Sequence, residues 1–199
     1  MLKILPLTAL CALALAGGAA RAADTGPQSG AYAVEPNHTE VLFGVKHLGF
    51  STYYGQFPGA SGALILDGAN PAASQLDVSV PVASVMTANK TLNDELASAQ
   101  WLDAGKYPAM TFHSTKITMT GPATADVTGD LTLHGVTAPV TLKASFNRGA
   151  PNPMNKRYTI GFEAAGKIKR SVFGVATYLP MIGDDVDLIL SAAFERKAS

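Results

Sequence analysis

Alternation of apolar and polar residues with period two runs through most of this chain. No other feature restricts the fold as much. Thr39, Val41, Phe43, Val45 and His47 share one parity; Glu40, Leu42, Gly44 and Lys46 share the other. Leu76, Val78 and Val80 alternate with Gln75, Asp77 and Ser79, and Leu131 and Leu133 with Asp130 and Thr132. The pattern returns at Val140, Leu142, Ala144 and Phe146, then along Ile160 to Arg170, then at Val186, Leu188 and Leu190. This is the period of a strand with one buried face. Turn residues separate the runs: Asp67-Gly68, Asn70-Pro71, Gly121-Pro122, His134-Gly135, and Gly149 to Pro153 with two prolines. The expected fold is therefore all-β and antiparallel. Some eight amphipathic strands leave two open edges unless the sheet closes, which favours a barrel.

One stretch breaks the period. Thr91–Gln100 reads as a short helix, with Thr91 as cap and Asp94 as its capping-box partner. Leu92, Leu96 and Ala99 share one stripe, and Gly105 and Pro108 stop it.

The N-terminus has a different character. Lys3 precedes an uncharged, mostly apolar run from Ile4 to Gly18, and Ala20-Arg21-Ala22 forms an A-x-A site. This predicts a secretory signal peptide over 1–22, and the run is short for a bilayer span. There is no twin-Arg pair, so the general secretion route and a periplasmic location are expected. Cleavage removes Lys3 and Arg21 and no acid, leaving 177 residues with a net charge of −2. It also removes Cys11, the only cysteine, so disulfides, thiolate chemistry and iron–sulfur clusters are excluded from the exported chain. Residues 23–31 are small and polar and read as a flexible leader. Residues 32–197 read as one domain. No basic stripe offers a track for phosphates, so no nucleic-acid partner is expected.

Small residues on inward parities (Gly62, Ala144, Ala164 and Gly166) suggest room inside the barrel. Aromatic residues crowd the loops and suggest a lined mouth: Phe50, Tyr53, Tyr54, Phe57, Trp101, Tyr107 and Phe173. A plain packed core accounts for the same pattern. The four histidines (His38, His47, His113 and His134) lack metal-ligand spacing, so no metal site is expected. No G-x-S-x-G elbow, G-x-G-x-x-G run or phosphate loop occurs, and no catalytic residue is assigned. Arg170 has inward parity. A buried guanidinium needs a carboxylate or a ligand's polar head, and Asp94 and Asp103 are the candidate carboxylates.

Several segments, in order, resemble the YceI-like family of exported bacterial proteins. They are Tyr32 to His47, Gly55-Gln56-Phe57, Ser84 to Thr87, Asn89 to Ser98, Trp101-Leu102-Asp103, Tyr107-Pro108, Thr111 to Thr115, Gly129 to Thr137 and Ile168 to Gly174. The chain departs from the family at Glu35, often Asp, and at Val172, often an acid or Asn. The second change removes a polar group near Arg170 and shifts interest to Asp94 and Asp103. The resemblance implies a lipocalin-like barrel holding a polyisoprenoid, such as an isoprenoid quinone or polyprenyl lipid, or a similar long-chain fatty amphiphile. It also implies a homodimer. No cofactor is expected beyond such a bound lipid, and transient membrane contact would deliver it. On that reading Phe43, Val45, Phe112, Phe162 and Ile168 wall the tail. Asn89, Asp94, Asp103 and Arg170 hold the head or support it. His47, Phe57, Leu96, Trp101 and Phe173 complete the ligand-binding set. The rival expectations are a structural or stress-response barrel without lipid and an enzyme acting on a lipid.

Overall fold

The computed structural model describes residues 27–197, so the predicted signal peptide lies outside the described residues. The described residues form ten strands: β1 (Gly30–Val34), β2 (Glu40–His47), β3 (Ser51–Gln56), β4 (Ser61–Leu66), β5 (Gln75–Pro81), β6 (Ala109–Gly121), β7 (Thr124–Leu133), β8 (Val136–Pro151), β9 (Tyr158–Lys169) and β10 (Ile182–Arg196); the six alternating runs lie in β2, β5, β7, β8, β9 and β10. Every pairing is antiparallel.

Ten strands make eight staves. β1 and β2 occupy one position around the wall, because β10 pairs with both. A 3-10 turn at Pro36–His38 interrupts them. β3 and β4 occupy the next position, pairing with β2 and β1 respectively. Each further strand pairs with its successor, and β10 returns to β1, so the sheet closes into an up-and-down barrel. The β1–β10 pairing closes the ring, as the alternation required, and among the described residues leaves only the outer edge of β3 without a strand partner, bridged to Met86 at Gln56. β1 begins at Gly30, so Gly30 and Ala31 belong to the wall rather than to the flexible leader expected over 23–31. The wall needs them because Ala31 and Tyr32 pair with Ile65 and Leu64.

At the joint after Pro36–His38, a side chain replaces the ladder. Thr39 is buried; its hydroxyl donates to the Ala193 carbonyl and accepts from the Ala193 N–H. The turn between β7 and β8 has two residues, His134 (φ 51°) and Gly135 (φ 75°), the pattern of a hairpin whose twist matches its strands. A side chain at Gly135 would collide with the Tyr107 ring, 2.4 Å from an ideal Cβ.

The one α-helix among the described residues, α1 (Lys90–Ala97), differs from the expectation in its cap. Asn89, not Thr91, is the cap residue. Its backbone is extended and its carboxamide oxygen accepts from the N–H of Thr91 and Leu92 at 3.0 and 3.3 Å. Asn caps at least as well as Thr, and it stands two residues earlier. Asp94 therefore forms no capping box and meets Lys90 in an exposed pair at 3.2 Å. α1 lies at the end of the barrel that carries the β2–β3 and β7–β8 turns.

The buried apolar residues form three separate clusters. One gathers Tyr32, Leu64, Leu66, Ile160 and Phe194 near the end holding the chain termini. A second gathers Leu133, Val140, Leu142, Ile168 and Phe173 at the opposite end. The third joins Phe57, Ala60, Val80 and Val85 beneath α1. A domain of this size ordinarily has one contiguous core. Here the clusters line a wall around a hollow.

Candidate functional site: a long apolar cavity

The hollow is a cavity of about 400 Å³, within the range of small-molecule sites. Its lining is almost wholly apolar. It includes Pro27 and Pro122 at one end and Leu96, Trp101 and Val175 at the other. The inward residues of β10 line it from Ile182 to Phe194. At about 3.3 Å per residue and a barrel tilt near 40°, that stretch spans roughly 30 Å. This length is about the hydrocarbon thickness of a bilayer.

Side-chain placement keeps the middle open. The Phe43 ring folds over Gly55, its cross-strand partner, where an ideal Cβ would lie 2.4 Å from the ring. The Phe112 ring lies over Gly129 in the same way. Both rings therefore lie against the wall instead of crossing it. Ala144 and Ala164 face each other in register on β8 and β9, and both line the cavity as the small-residue argument expects. Gly62 and Gly166 do not line it. β5 approaches Gly62 so closely that an ideal Cβ would sit 2.1 Å from the Asp77 carbonyl oxygen, and the space above Gly166 is filled by Leu142.

Of the residues expected to wall a tail, Phe43, Val45, Phe112, Phe162 and Ile168 all line the cavity. Phe57, Leu96 and Trp101 line it too. Phe173 does not; it is buried in the cluster with Leu133 and Ile168. His47 does not either. It lies exposed at the end of β2, beside the Tyr53 ring, where the hairpin turns away from the lumen.

The expected polar cluster is not assembled. Asn89 spends its side-chain oxygen on the cap, Asp94 pairs outward with Lys90, and neither lines the cavity. Asp103 sits in the turn after α1 with φ 48°, and its carbonyl accepts from Lys106 and Tyr107. Arg170 alone of the four lines the cavity, at 5% exposure. It opens a 3-10 turn at Arg170–Phe173 rather than standing on a strand. Its guanidinium has no ion pair with Asp94 or Asp103. Nε donates to the Gly183 carbonyl, Nη1 to that of Val175 and Nη2 to that of Ile182, each at 2.9 Å. The group also lies over the Trp101 ring, 5.4 Å from its centroid. Burial lowers its pKa, and the nearby Asp184 charge works in the opposite direction. Asp184 is itself held by the Ser171 N–H and hydroxyl at 2.9 and 2.8 Å, and the Ser171 N–H leads in keeping its carboxyl below the ordinary range. Arg170 thus stitches the 175–183 segment across one end of the barrel. It presents almost nothing polar to the lumen.

Sequence reasoning passed over much of the lining, including Leu76, Val78, Val127, Leu131, Leu142, Val186, Leu188 and Leu190. The signal was present, since all but Val127 have inward parity in the alternating runs, and Val127 shares the parity of Leu131 and Leu133. The four histidines stand apart. His38 meets Glu35, His113 meets Asp77, and His134 Nδ1 lies 3.1 Å from the Phe173 carbonyl. Among the described residues no group of three or more His, Cys, Asp or Glu is placed to hold a metal ion. No described helix is long and apolar enough to cross a membrane.

Comparison with known proteins agrees with this geometry. A family model described as the YceI-like domain matches residues 32–194. Protein YceI of Escherichia coli O157:H7 is 41% identical over 157 residues, covering 79% of this chain and 81% of its own. Among solved structures, Burkholderia cenocepacia BcnA superposes with a TM-score of 0.73 at 27% identity, covering 80% of this chain and 98% of its own. A domain from Saccharophagus degradans, described as polyisoprenoid-binding and implicated in plant cell wall breakdown, shares the fold with a TM-score of 0.63 at 14% identity. That match covers 83% of this chain and 98% of the domain.

Proposed function

Because this chain belongs to the YceI-like family, we propose that it is a non-catalytic lipid carrier. Its barrel holds the hydrocarbon tail of a polyisoprenoid, such as a quinone side chain or a polyprenyl lipid, or of a similar long-chain amphiphile. The observation that carries this reading is the cavity, which is apolar along its whole length and about as long as a bilayer core is thick. The polyisoprenoid-binding domain from Saccharophagus degradans, with the same fold, supports the choice of tail. The segment over 1–22 supports export, and the periplasm is the compartment we propose. Two copies form the working unit.

Each buried methylene contributes about 0.8 kcal/mol relative to water. Water is the wrong reference, because a lipid leaves a membrane where its tail is already dry. Barrel and bilayer then hold the tail about equally. The cavity wall offers almost no hydrogen-bonding group, so tail length and branching decide what fits, and the polar head stays outside the lumen. Such a protein exchanges lipid instead of sequestering it.

The test is a solvent extract of gently purified protein, analysed by mass spectrometry. The expected result is an isoprenoid or long-chain amphiphile in amounts comparable to the protein. An extract empty of lipid overturns the reading and leaves a structural or stress-response barrel. A chemically altered lipid recovered after incubation favours an enzyme.

A further inference from the structure

One end of the barrel is uncharged over two loops that meet. Between Lys46 and Asp67 no residue carries a formal charge, and none does from Ser171 to Gly183. The Leu48 N–H at the β2–β3 turn donates to the Met181 carbonyl at 2.9 Å, which ties the two loops together. The crest of this end is apolar and wet. Phe50 is 91% exposed, Met181 55%, Val172 53% and Leu48 48%. Tyr178 stands half exposed beside them, and Lys46 and the Lys169–Asp185 ion pair mark the shoulders. Clustered exposed apolar residues on a soluble surface mark an interaction site.

We propose that this crest docks on a lipid bilayer, inserting Phe50, Leu48 and Met181 at the headgroup boundary. The proposal rests on the carrier reading above and adds the surface through which cargo passes. Three observations favour a bilayer over a second copy of the chain. The apolar side chains stand on the tips of two loops, whereas a symmetric dimer of standard size needs about 800 Å² of complementary surface per partner. A tyrosine beside the apolar tip and Lys46 behind it follow the order of a membrane interface, where Tyr sits at headgroup level and Lys reaches phosphate, whereas Lys169 is held by Asp185 at 2.8 Å. The same loops are also rooted in the cavity wall. Val45 leads into the hairpin, and Val175 and Ile182 lie within or at the end of the second loop; all three line the lumen. A crest seated in a bilayer thus brings that end of the cavity against lipid.

The test uses protein expressed from the whole sequence, floated with vesicles of phosphatidylcholine alone and of phosphatidylcholine with phosphatidylglycerol. The unaltered protein is expected to float. Phe50→Ser is expected to lower the floating fraction's partition coefficient about tenfold or more, since a fully buried Phe is worth at least that factor. Phe50 is so exposed that the variant keeps its fold, which an unchanged melting temperature checks. Phe50→Trp gives a second readout, because Trp101 is buried: its emission is expected to shift to the blue when vesicles are added. Protein that stays unfloated with both vesicle types, or Phe50→Ser that floats as well as the unaltered chain, overturns the proposal. So does a sedimentation result in which Phe50→Ser only splits a dimer. Solvent extracts of the same preparations separate the two readings. Protein that carries lipid but does not float removes the docking surface alone. Protein that floats without extractable lipid removes the carrier reading and leaves the surface.

Discussion

Replacing Arg170 by Met keeps a long flexible stem and removes the guanidinium. Three hydrogen bonds from a charged donor disappear, each worth about 1.5–3 kcal/mol. The burial cost of the charge disappears with them, which offsets part of that loss. The carbonyls of Val175, Ile182 and Gly183 then lack their donors in a site water reaches poorly. The net destabilisation expected is about 3–5 kcal/mol, the cost of breaking a buried charged network. For a domain of this size each kcal/mol moves the melting temperature about 2–4 °C, so calorimetry is expected to show a fall of roughly 6–20 °C. Arg170→Lys keeps the charge but not the three-pronged fork and is expected to recover only a minor part. Asp94→Ala is the control, because its exposed pair with Lys90 contributes at most about 0.5 kcal/mol. If Arg170→Met melts within about 2 °C of the unaltered protein, Arg170 does not clamp the 175–183 segment. If Asp94→Ala costs as much as Arg170→Met, the guanidinium has a carboxylate partner and the geometry described here is wrong.

Three further outcomes follow from the same structure. Ala164→Phe places a ring in the lumen opposite Ala144; urea unfolding is expected to change by less than about 1 kcal/mol, against the 1–3 kcal/mol that overpacking a filled core costs, while the solvent extract loses its lipid. Asn89→Ala is expected to cost about 1 kcal/mol and Thr91→Ala only a few tenths, and the reverse order would restore Thr91 as the cap of α1. His113 hydrogen-bonds Asp77, which together with the Asp77 charge raises its pKa, so an NMR titration should place its midpoint above 6.5 and Asp77→Asn should lower it. Because that pKa is raised on folding, the pair stabilises below pH 6.5 and its contribution is lost as pH rises through the folded midpoint.

The wall was legible because alternation is a direct image of a sheet with one buried face. Most inward parities read from the sequence line the cavity or one of the three clusters; His47, Gly62 and Gly166 do neither. The hollow itself was half legible. Ala144 and Ala164 pointed to it correctly, while Gly62 and Gly166 are small for close backbone or side-chain approach. Arg170 shows where reading residues stops working. Its inward burial followed from parity, but its partners are backbone carbonyls, and a carbonyl looks the same at every position in a sequence. Only the path of the 175–183 segment selects three of them. Asn89, Asp94 and Asp103 failed as a polar cluster for a related reason. Each is a short polar residue in or beside α1 that finds a local role: Asn89 caps the helix, Asp94 pairs with Lys90 one turn before it, and Asp103 forms the turn that follows.

The two jointed staves stand side by side in the ring. β1 gives way to β2 at Pro36–His38, and β3 to β4 across Phe57–Ala60, while β5 to β10 run through without a comparable interruption. Between the joints the Phe57 N–H to the Val41 carbonyl is a lone rung, and on the β10 side a threonine hydroxyl stands in for the backbone. The circumference therefore has a soft sector and a stiff one. Fewer rungs resist widening in the soft sector, so the bore can widen there while the long strands β6 to β10 keep its length fixed.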